Sequence, residues 1–415
     1  MKKQIIAATL ALCSLSINAQ DTFTNEDFTG LRVYHHAENM IAHIEEFGIN
    51  QWDHPPISDH TYFVITPALD HLYSKAMVDV SRGPAILTTP IRDDRYASLQ
   101  IVDSEHFTVY AETTPREGGQ FLITRAGADY DIPDGEFTDI IEVHEDLTFL
   151  FVRTQTFEYR DDGYANENRH QLKLDISEKS KEFDLPDRKD TKAVIQLAID
   201  NHDGWAETAD ELQGAVNNFD YDRYVQTAEY VTEKLLTGVI TNNSSGFETP
   251  DHPDADHDSI NLIRAAVTHL GHLGFPAAHA YYENIPVTPQ GLPLNGSEAF
   301  VFTMPHEQAV GEFWSITRYK SATRLPLDPD TIGGSNRQVF AGGNTTPDAD
   351  GNVTITFSTD DPKDGTYWMP VVDGEQYYFI VRYYDPQSGL KGNTAQTLLY
   401  GGTPLENVFV PKQSF

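Results

Sequence analysis

The spacing of hydrophobic residues separates a short N-terminal helix from a long β-rich stretch. Met40, Ile44 and Phe47 recur at helical spacing and Gly48 ends the pattern, which predicts a helix over residues 36–47. The chain then changes to short runs rich in β-branched and aromatic residues, with Gly, Pro and Asp between them, as in a β-sandwich or barrel. These runs predict strands at 62–66, 85–90, 96–102, 107–112, 120–124, 138–143 and 148–157.

From residue 189 to residue 273 the hydrophobic period becomes 3.6 residues, as at Val194, Leu197 and Ala198, which predicts several antiparallel helices. The stretch 241–258 is rich in Asn, Ser, Pro and Asp, so we predict an exposed loop there. After residue 281 the β pattern returns, with strands predicted at 299–304, 313–319, 353–358 and 376–384. The chain as a whole is therefore predicted to be mainly β with a helical middle.

Composition and charge exclude several classes of protein. The 415 residues are 39% hydrophobic and 22% charged, which is typical of globular chains and not of disordered, coiled-coil or polytopic membrane proteins. The formal net charge of −34 argues against a nucleic-acid partner, because binding to phosphates requires a concentrated basic face. The glycine motifs of nucleotide-binding proteins and the G-x-S-x-G motif of hydrolases do not occur.

The N-terminal residues have the pattern of an export signal. Lys2 and Lys3 precede an apolar stretch over 5–17, so we predict a signal peptide over 1–20 and a periplasmic or secreted mature protein. The apolar stretch is too short to span a bilayer and no later segment reaches that length, so no membrane insertion is expected. Cys13 is the one cysteine and lies within this signal, which leaves the mature chain without disulfides or thiolate ligands.

Two groups of segments resemble a known pair of bacterial domains. The first group, YFVITPALDHLYSKAMVDVSRGP at 62–84 and RDDRYASLQIVD at 92–103, resembles domain of unknown function 1254. The second group resembles domain of unknown function 1214 and comprises GLPLNGSEAFVFTMP at 291–305, EFWSITRY at 312–319, DADGNVTITFS at 348–358 and YWMPVVDGEQYYFIVRYYDP at 367–386. The first group departs from the family pattern, an Asn-rich turn followed by Asp-Thr, because this chain has ALDH at 68–71.

The resemblance implies two β-sandwich, jelly-roll-like domains with helical connections, and it implies no activity. We therefore expect two β-sandwich domains joined by an α-helical segment. The expected division of the chain is a signal peptide over 1–20, an N-terminal arm and helix over 21–57, a first sandwich over 58–187, a helical connector over 188–280 and a second sandwich over 281–415.

Asp70, His71 and Tyr73 form the candidate catalytic group. A carboxylate beside an imidazole and a phenol can supply acid and base groups, since an Asp can orient a His whose pKa lies near the working pH. On a strand, His71 and Tyr73 point to the same side and could share a groove. The structural alternative is that these polar residues only complete a turn of the sandwich.

Aromatic and basic residues of the last domain form a candidate ligand-binding surface, because rings with flanking Arg can stack on sugars and orient acidic groups. Alternation along the strand at 376–384 assigns one face to the core, with Tyr377, Phe379, Val381 and Tyr383. The candidate ligand-binding residues are Trp314, Arg318, Trp368, Tyr378, Arg382 and Tyr384. An exposed strand stabilised by cross-strand aromatic pairs is the alternative for the face that carries the last three.

Acidic residues offer a candidate calcium site. Asp348, Asp350 and Asn352 can present hard oxygen ligands, although Asp-Gly between apolar runs equally predicts a plain hairpin turn. A second acidic loop at 251–258 lacks the turn glycine of calcium-binding loops. Calcium is the one cofactor that these residues suggest.

His269, His272 and His279 form a histidine group near the end of the helical part. The H-x-x-H spacing of the first two can place both imidazoles on one face of a helix, a geometry that zinc accepts. The neighbouring Leu270 and Leu273 favour a packing helix instead, and no cysteine is available to complete a zinc site.

Three classes of function remain open after these observations. The leading hypothesis is an exported protein that binds a glycan or another small ligand in a groove near the interface of the sandwiches and the helical segment. The second is an enzyme, a hydrolase or lyase acting on a polysaccharide, with Tyr, His and Arg supplying acid, base and charge neutralisation. The third is a structural or assembly role, in which sandwich faces engage a partner chain or form a homo-oligomer.

Overall fold

The computed structural model describes residues 23–61, 65–159, 163–177, 180–236, 257–288, 290–334 and 337–390. The described chain is mainly β with most of its helices in the middle, so the predicted fold class is confirmed. The predicted signal peptide over 1–20 and residues 251–256 of the acidic loop lie outside the described residues. None of the described helices is long and apolar enough to cross a membrane.

The first part of the chain forms one long helix and a sandwich. Its elements are α1 (Asn25–Phe47), β1 (Trp52–Asp53), β2 (His71–Asp79), β3 (Ala85–Thr89), β4 (Ala97–Val102), β5 (Thr108–Thr113), β6 (Gly119–Arg125), β7 (Asp139–Val143), β8 (Leu147–Gln155), α2 (Gly163–Arg169) and β9 (Lys173–Ile176). The described strands form two sheets, with the orders β1-β2-β8-β4-β5 and β7-β6-β3-β9. Leu99 and Val152 of the first sheet share a core with Leu87 and Phe121 of the second, so the two sheets form a sandwich.

The middle of the chain forms a helical layer. It contains α3 (Thr191–Asn201), α4 (Ala209–Asn218), α5 (Tyr221–Leu236) and α6 (His257–Leu270). α1 packs into this layer, because its Leu31 and Ile41 share a core with Val194 of α3, Val231 of α5 and Ala266 of α6. The N-terminal helix and the predicted connector thus bury their apolar faces against each other.

α1 begins well before residue 36, where the hydrophobic pattern predicted its start. Thr24 caps the helix, and the Asp27 carboxylate accepts a hydrogen bond from the Thr24 backbone N–H in a capping box. The first turns also carry Arg32 and His36, which are buried polar residues. The earlier turns also carry the buried Phe28, Leu31 and Tyr34 at helical spacing, so the hydrophobic pattern extends to the true start of the helix and the predicted start at residue 36 was wrong.

The last part of the chain forms the second sandwich. Its strands are β10 (Ala280–Ile285), β11 (Phe300–Pro305), β12 (Trp314–Lys320), β13 (Val339–Ala341), β14 (Asn352–Ser358), β15 (Tyr367–Pro370) and β16 (Tyr377–Tyr384). The described strands form two sheets, with the orders β10-β16-β12-β13 and β11-β14-β15. Ile316 and Phe379 of one sheet pack against Phe302 and Ile355 of the other.

One face of the first sandwich's larger sheet is covered by two different parts of the chain. Met77 and Phe149 on this face share a core with Met40 of α1. Farther along, Tyr96 shares a core with Phe313 and Tyr384 of the second sandwich. This covered face of the sheet carries two groups of polar residues, one around His71 and one that contains His36, His106 and His272.

Two glycines at helix contacts allow a matched test of this packing. A Cβ at Gly30 of α1 would lie 2.6 Å from ring carbons of the buried Phe219, whereas at Gly214 of α4 it would meet only the carboxylate end of Glu26. Gly30→Ala should therefore lower the free energy of unfolding by about 1–3 kcal/mol through overpacking. Gly214→Ala should raise it by up to about 1 kcal/mol through helix propensity. Urea unfolding of both variants checks the contrast, and equal stabilities would contradict the packing of α1 on Phe219.

Candidate functional site between the two sandwiches

Residues predicted to be catalytic and residues predicted to bind a ligand meet where the two sandwiches touch. Asp70 and His71 stand at the beginning of β2, and Arg382 and Tyr384 lie at the end of β16. Each of these four side chains is at most 3% exposed. The two sandwiches therefore bring together residues more than three hundred positions apart and remove them from solvent.

Asp70 is the centre of a hydrogen-bond network that joins the sandwiches. Its Oδ1 lies 2.5 Å from Nδ1 of His71. From the second sandwich, the Tyr384 hydroxyl donates to the same carboxylate at 3.1 Å, and the Ser315 hydroxyl on β12 donates to Oδ2. A single buried carboxylate thus accepts hydrogen bonds from both sandwiches.

Burial and these contacts determine the charges of the pair. Burial alone would raise the pKa of Asp70, but His71, Arg382 and Ser315 outweigh it and lower that pKa to about 2. Burial lowers the pKa of His71, and the neighbouring Asp70 offsets only part of that effect. At pH 7 the pair is therefore an ionised Asp70 and a neutral His71 whose Nδ1–H faces the carboxylate, which leaves a lone pair on Nε2.

Two nitrogen atoms of this group have no hydrogen-bond partner within the part of the chain that the structure describes. They are Nε2 of His71 and Nη1 of Arg382. Nη2 of Arg382 donates to the Thr66 carbonyl and to the Tyr319 hydroxyl, both at 2.9 Å. Because buried polar atoms of folded proteins nearly always have a partner, the two free atoms mark a place for water or a ligand.

Aromatic rings enclose the imidazole of His71. The Tyr73 ring meets it edge-on with a centroid distance of 4.7 Å, and the Tyr384 ring lies at 5.9 Å. Phe313 stacks on Tyr384 at 4.3 Å. Tyr73 therefore lies with Asp70 and His71, as the sequence predicted, and its ring packs against one side of the His71 imidazole.

The strand face expected to be an open ligand surface is covered. Alternation along β16 is confirmed on the core side, where Tyr377 and Phe379 lie in the core of the second sandwich. On the opposite side, Tyr378 is 4% exposed and its hydroxyl lies 2.8 Å from Oγ1 of Thr66. The expectation of exposure was wrong because the first sandwich packs on this face, a tertiary contact that local alternation does not contain.

Three other predicted ligand-binding residues belong to the second sandwich itself. Nε1 of Trp314 and Nε1 of Trp368 each donate to a backbone carbonyl of that sandwich, at 2.8 and 3.0 Å. Arg318 is completely buried and donates to Oε1 of Gln338 at 3.2 Å. The structure does not place these three side chains with Asp70 and His71, and their role in binding stays a prediction.

The candidate calcium ligands form the turn before β14. Oδ1 of Asp348 accepts hydrogen bonds from the backbone N–H groups of Asp350 and Asn352, both at 2.9 Å. Gly351 adopts a φ of 81°, which favours glycine. The Asp348 carboxylate thus closes its own turn, and the calcium site stays a prediction without support from this geometry. The turn does not form the expected hairpin, because β14 pairs with β11 and β15 and the preceding β13 lies in the other sheet.

Sequence reasoning missed a buried polar turn between β4 and β5. The turn contains four residues that are each at most 6% exposed, namely Asp103, Ser104, Glu105 and His106. Arg32 of α1 and Arg264 of α6 donate to the Glu105 carbonyl at 3.3 and 3.1 Å. The only local signal was the run of four polar residues in a hairpin, because its partners come from distant parts of the chain.

Comparison with protein families agrees with the resemblance of the two groups of segments. The family model described as protein of unknown function (DUF1254) matches residues 49–199. The family model described as protein of unknown function (DUF1214) matches residues 279–388. None of the curated proteins matches the chain.

The fold is shared with a solved structure. The crystal structure of the VPA0106 protein from Vibrio parahaemolyticus matches 88% of this chain and 95% of its own, with 21% identity and a TM-score of 0.64. An uncharacterized protein from Burkholderia cenocepacia matches 88% of this chain and 92% of its own, with 13% identity and a TM-score of 0.49. The chain is therefore a two-domain protein that joins a DUF1254 domain to a DUF1214 domain, in that order.

Proposed function

We propose that the protein binds a small hydroxy acid, of the size of a single sugar acid, between its two sandwiches. The observation that carries this proposal is the pair of buried, unpartnered nitrogen atoms, Nε2 of His71 and Nη1 of Arg382, in the described structure. Neutral His71 accepts a hydrogen bond at Nε2, and Arg382 donates one at Nη1. A ligand hydroxyl suits the first atom, and a ligand carboxylate suits the second.

The charges around His71 favour an acid over a neutral ligand. The main charges acting on this imidazole are the Asp70 carboxylate and the guanidinium groups of Arg153 and Arg382. Arg153 donates to two uncharged oxygens, those of the Gln100 side chain and the Leu273 carbonyl. These three groups carry one more positive than negative charge, and a ligand carboxylate would balance it.

Burial favours a small ligand over a polymer in this site. His71 and Arg382 are 2% and 3% exposed, so a ligand that reaches both must be enclosed between the sandwiches. The sequence-based hypothesis of an open aromatic groove for a polysaccharide has weaker support, because the first sandwich covers the face that carries Tyr378 and Tyr384.

A second candidate function, acid–base catalysis on a carbohydrate, depends on the same pair. An Asp that accepts the Nδ1–H of a His orients the imidazole and leaves Nε2 as a general base. Asp70 and His71 have this arrangement at 2.5 Å. Arg382 would then neutralise the carboxylate of an acidic sugar, as a lyase requires when it removes the proton next to that carboxylate.

One set of measurements separates the two candidates. The purified protein is titrated with galacturonate and glucuronate and with their uncharged counterparts galactose and glucose, and binding is followed by calorimetry. We expect the acids to bind at least ten-fold more tightly, and we expect Arg382→Lys and His71→Gln to remove this preference while the exposed-turn variant Asp350→Asn keeps it. Absence of binding, or binding unaffected by Arg382→Lys, would contradict the proposal.

The same protein is incubated with oligosaccharides of uronic acids, and new reducing ends are counted. New ends that disappear in His71→Gln would establish the enzymatic candidate, whereas binding without new ends would reject it. We also propose an exported location, which the signal pattern over 1–20 supports and in which such sugars are accessible. An assembly role or a homo-oligomer stays a prediction of the sequence.

A further inference from the structure

A group of histidines from three separate elements lies on the covered sheet face, beneath the helical layer. His36 comes from α1, His106 from the turn between β4 and β5, and His272 from the residues just after α6. One ring nitrogen of each lies within 4.8 Å of the others. We propose that these three imidazoles bind one divalent transition-metal ion of the zinc type.

The distances within the group suit nitrogen ligands of one ion. Nδ1 of His36 lies 3.1 Å from Nε2 of His272. Two nitrogen ligands of a tetrahedral zinc ion, with bonds of about 2.0 Å, are about 3.3 Å apart. The ring centroids of His36 and His106 are 5.6 Å apart, and the centroid of His272 lies 5.2 Å from each of them, so the three rings form a triangle.

A hydrogen bond between neutral imidazoles is the competing explanation. A proton shared between Nδ1 of His36 and Nε2 of His272 explains why these two atoms are close. This hydrogen bond does not involve His106, whose Nδ1 is buried without a partner among the described residues. The Leu273 N–H lies 3.2 Å from Nε2 of His106, which places the ring proton on Nδ1. Metal binding at Nδ1 requires the ring proton to move to Nε2, where it replaces the hydrogen bond from the Leu273 N–H, a small loss compared with three metal–nitrogen bonds.

The surroundings keep the three imidazoles in the form that binds metal. Burial lowers the pKa of His36 to about 4 and holds the pKa values of His106 and His272 well below their usual range. Neutral imidazole is the metal ligand in proteins. His36 and His106 are 2% and 3% exposed, whereas His272 is partly exposed.

The helical spacing of His269 and His272 did not predict this site. α6 ends at Leu270, so His272 lies beyond the helix and turns towards His36 instead of sharing a helix face with His269. The ring of His269 meets His35 at 5.1 Å, outside the proposed ligand set. The proposal is independent of ligand binding at His71, because it uses different residues at another end of the sheet.

The test uses the full chain without an affinity tag, stripped with EDTA and titrated with Co²⁺ and then Zn²⁺. We expect one Co²⁺ per chain, a visible absorption spectrum typical of four or five nitrogen and oxygen ligands, displacement by Zn²⁺, and a higher melting temperature with either metal. His272→Gln, at a partly exposed position, should weaken binding at least ten-fold, and so should His106→Gln.

His170→Gln, at an exposed histidine just after α2, serves as the matched control and should bind metal as the unchanged protein does. Circular dichroism confirms that each variant is folded before its affinity is compared. The proposal would be overturned by the absence of a stoichiometric cobalt spectrum. It would equally be overturned by unchanged affinity in folded His106→Gln and His272→Gln. Neither result would affect the hydroxy-acid site, whose titrations contain no metal.

Discussion

Asp70→Asn is expected to lower the free energy of unfolding by about 3–5 kcal/mol, because it removes the charge at the centre of the interface between the sandwiches. The carboxylate accepts hydrogen bonds from His71, Ser315 and Tyr384. An asparagine side chain turns an NH2 group towards some of these donors. It also leaves the buried guanidinium of Arg382 without its nearby counterion.

Urea unfolding followed by circular dichroism measures this loss. Asp350→Asn is the matched control, since Asp350 lies in an exposed turn and its replacement should change stability by no more than about 0.5 kcal/mol. Tyr384→Phe removes one hydrogen bond to Asp70 and should cost about 1–2 kcal/mol. A loss below 1 kcal/mol in Asp70→Asn would show that the carboxylate does not hold the two sandwiches together.

Glu207→Gln is expected to destabilise the helical layer by a similar amount, about 3–5 kcal/mol. One oxygen of Glu207 accepts hydrogen bonds from two buried guanidinium groups, Arg32 at 2.6 Å and Arg264 at 2.8 Å. Burial, together with the neighbouring Glu207, raises the pKa of Glu105, whereas the guanidinium groups of Arg32 and Arg264 outweigh burial and lower the pKa of Glu207. Glu207 is therefore the nearest counterion of both cations, and glutamine cannot replace its charge.

A double-mutant cycle with Arg264→Met identifies the cause of that loss. Removing one of the two cations should make Glu207→Gln less damaging, so the double variant should be more stable than the sum of the single losses predicts. Additive losses would mean that Glu207 contributes through packing and not through its charge. The unfolding of all four proteins is compared in the same urea series at pH 7.

Local patterns predicted many of the strands and the core face of β16, because both depend on neighbouring residues. They did not predict β9, β10 or β15, and residues 65–66 of the strand predicted at 62–66 are not in a strand. Along β16 the core side was assigned correctly at Tyr377 and Phe379. The opposite side was expected to be exposed, and only the docking of the first sandwich, seen in the contact between Tyr378 and Thr66, explains why it is buried. A two-residue period shows which residues share a face and does not show what covers that face.

The candidate site was predicted as two separate groups of residues and found as one. Asp70 and His71 lie in a segment that resembles the first domain family, and Arg382 and Tyr384 lie in a segment that resembles the second. Their meeting is a property of the domain arrangement, which no spacing within either segment reveals. The same reason explains why the sequence did not reveal the group of His36, His106 and His272. These three residues are far apart in the chain and come together only in the fold.

A crystal structure of the protein grown with saturating galacturonate tests the proposed hydroxy-acid site most directly. The proposal predicts a sugar hydroxyl within about 2.7–3.2 Å of Nε2 of His71 and a sugar carboxylate at the same distance from Nη1 of Arg382. The contradictory result is a structure in which water or other protein atoms satisfy both nitrogen atoms and the sugar binds elsewhere or not at all.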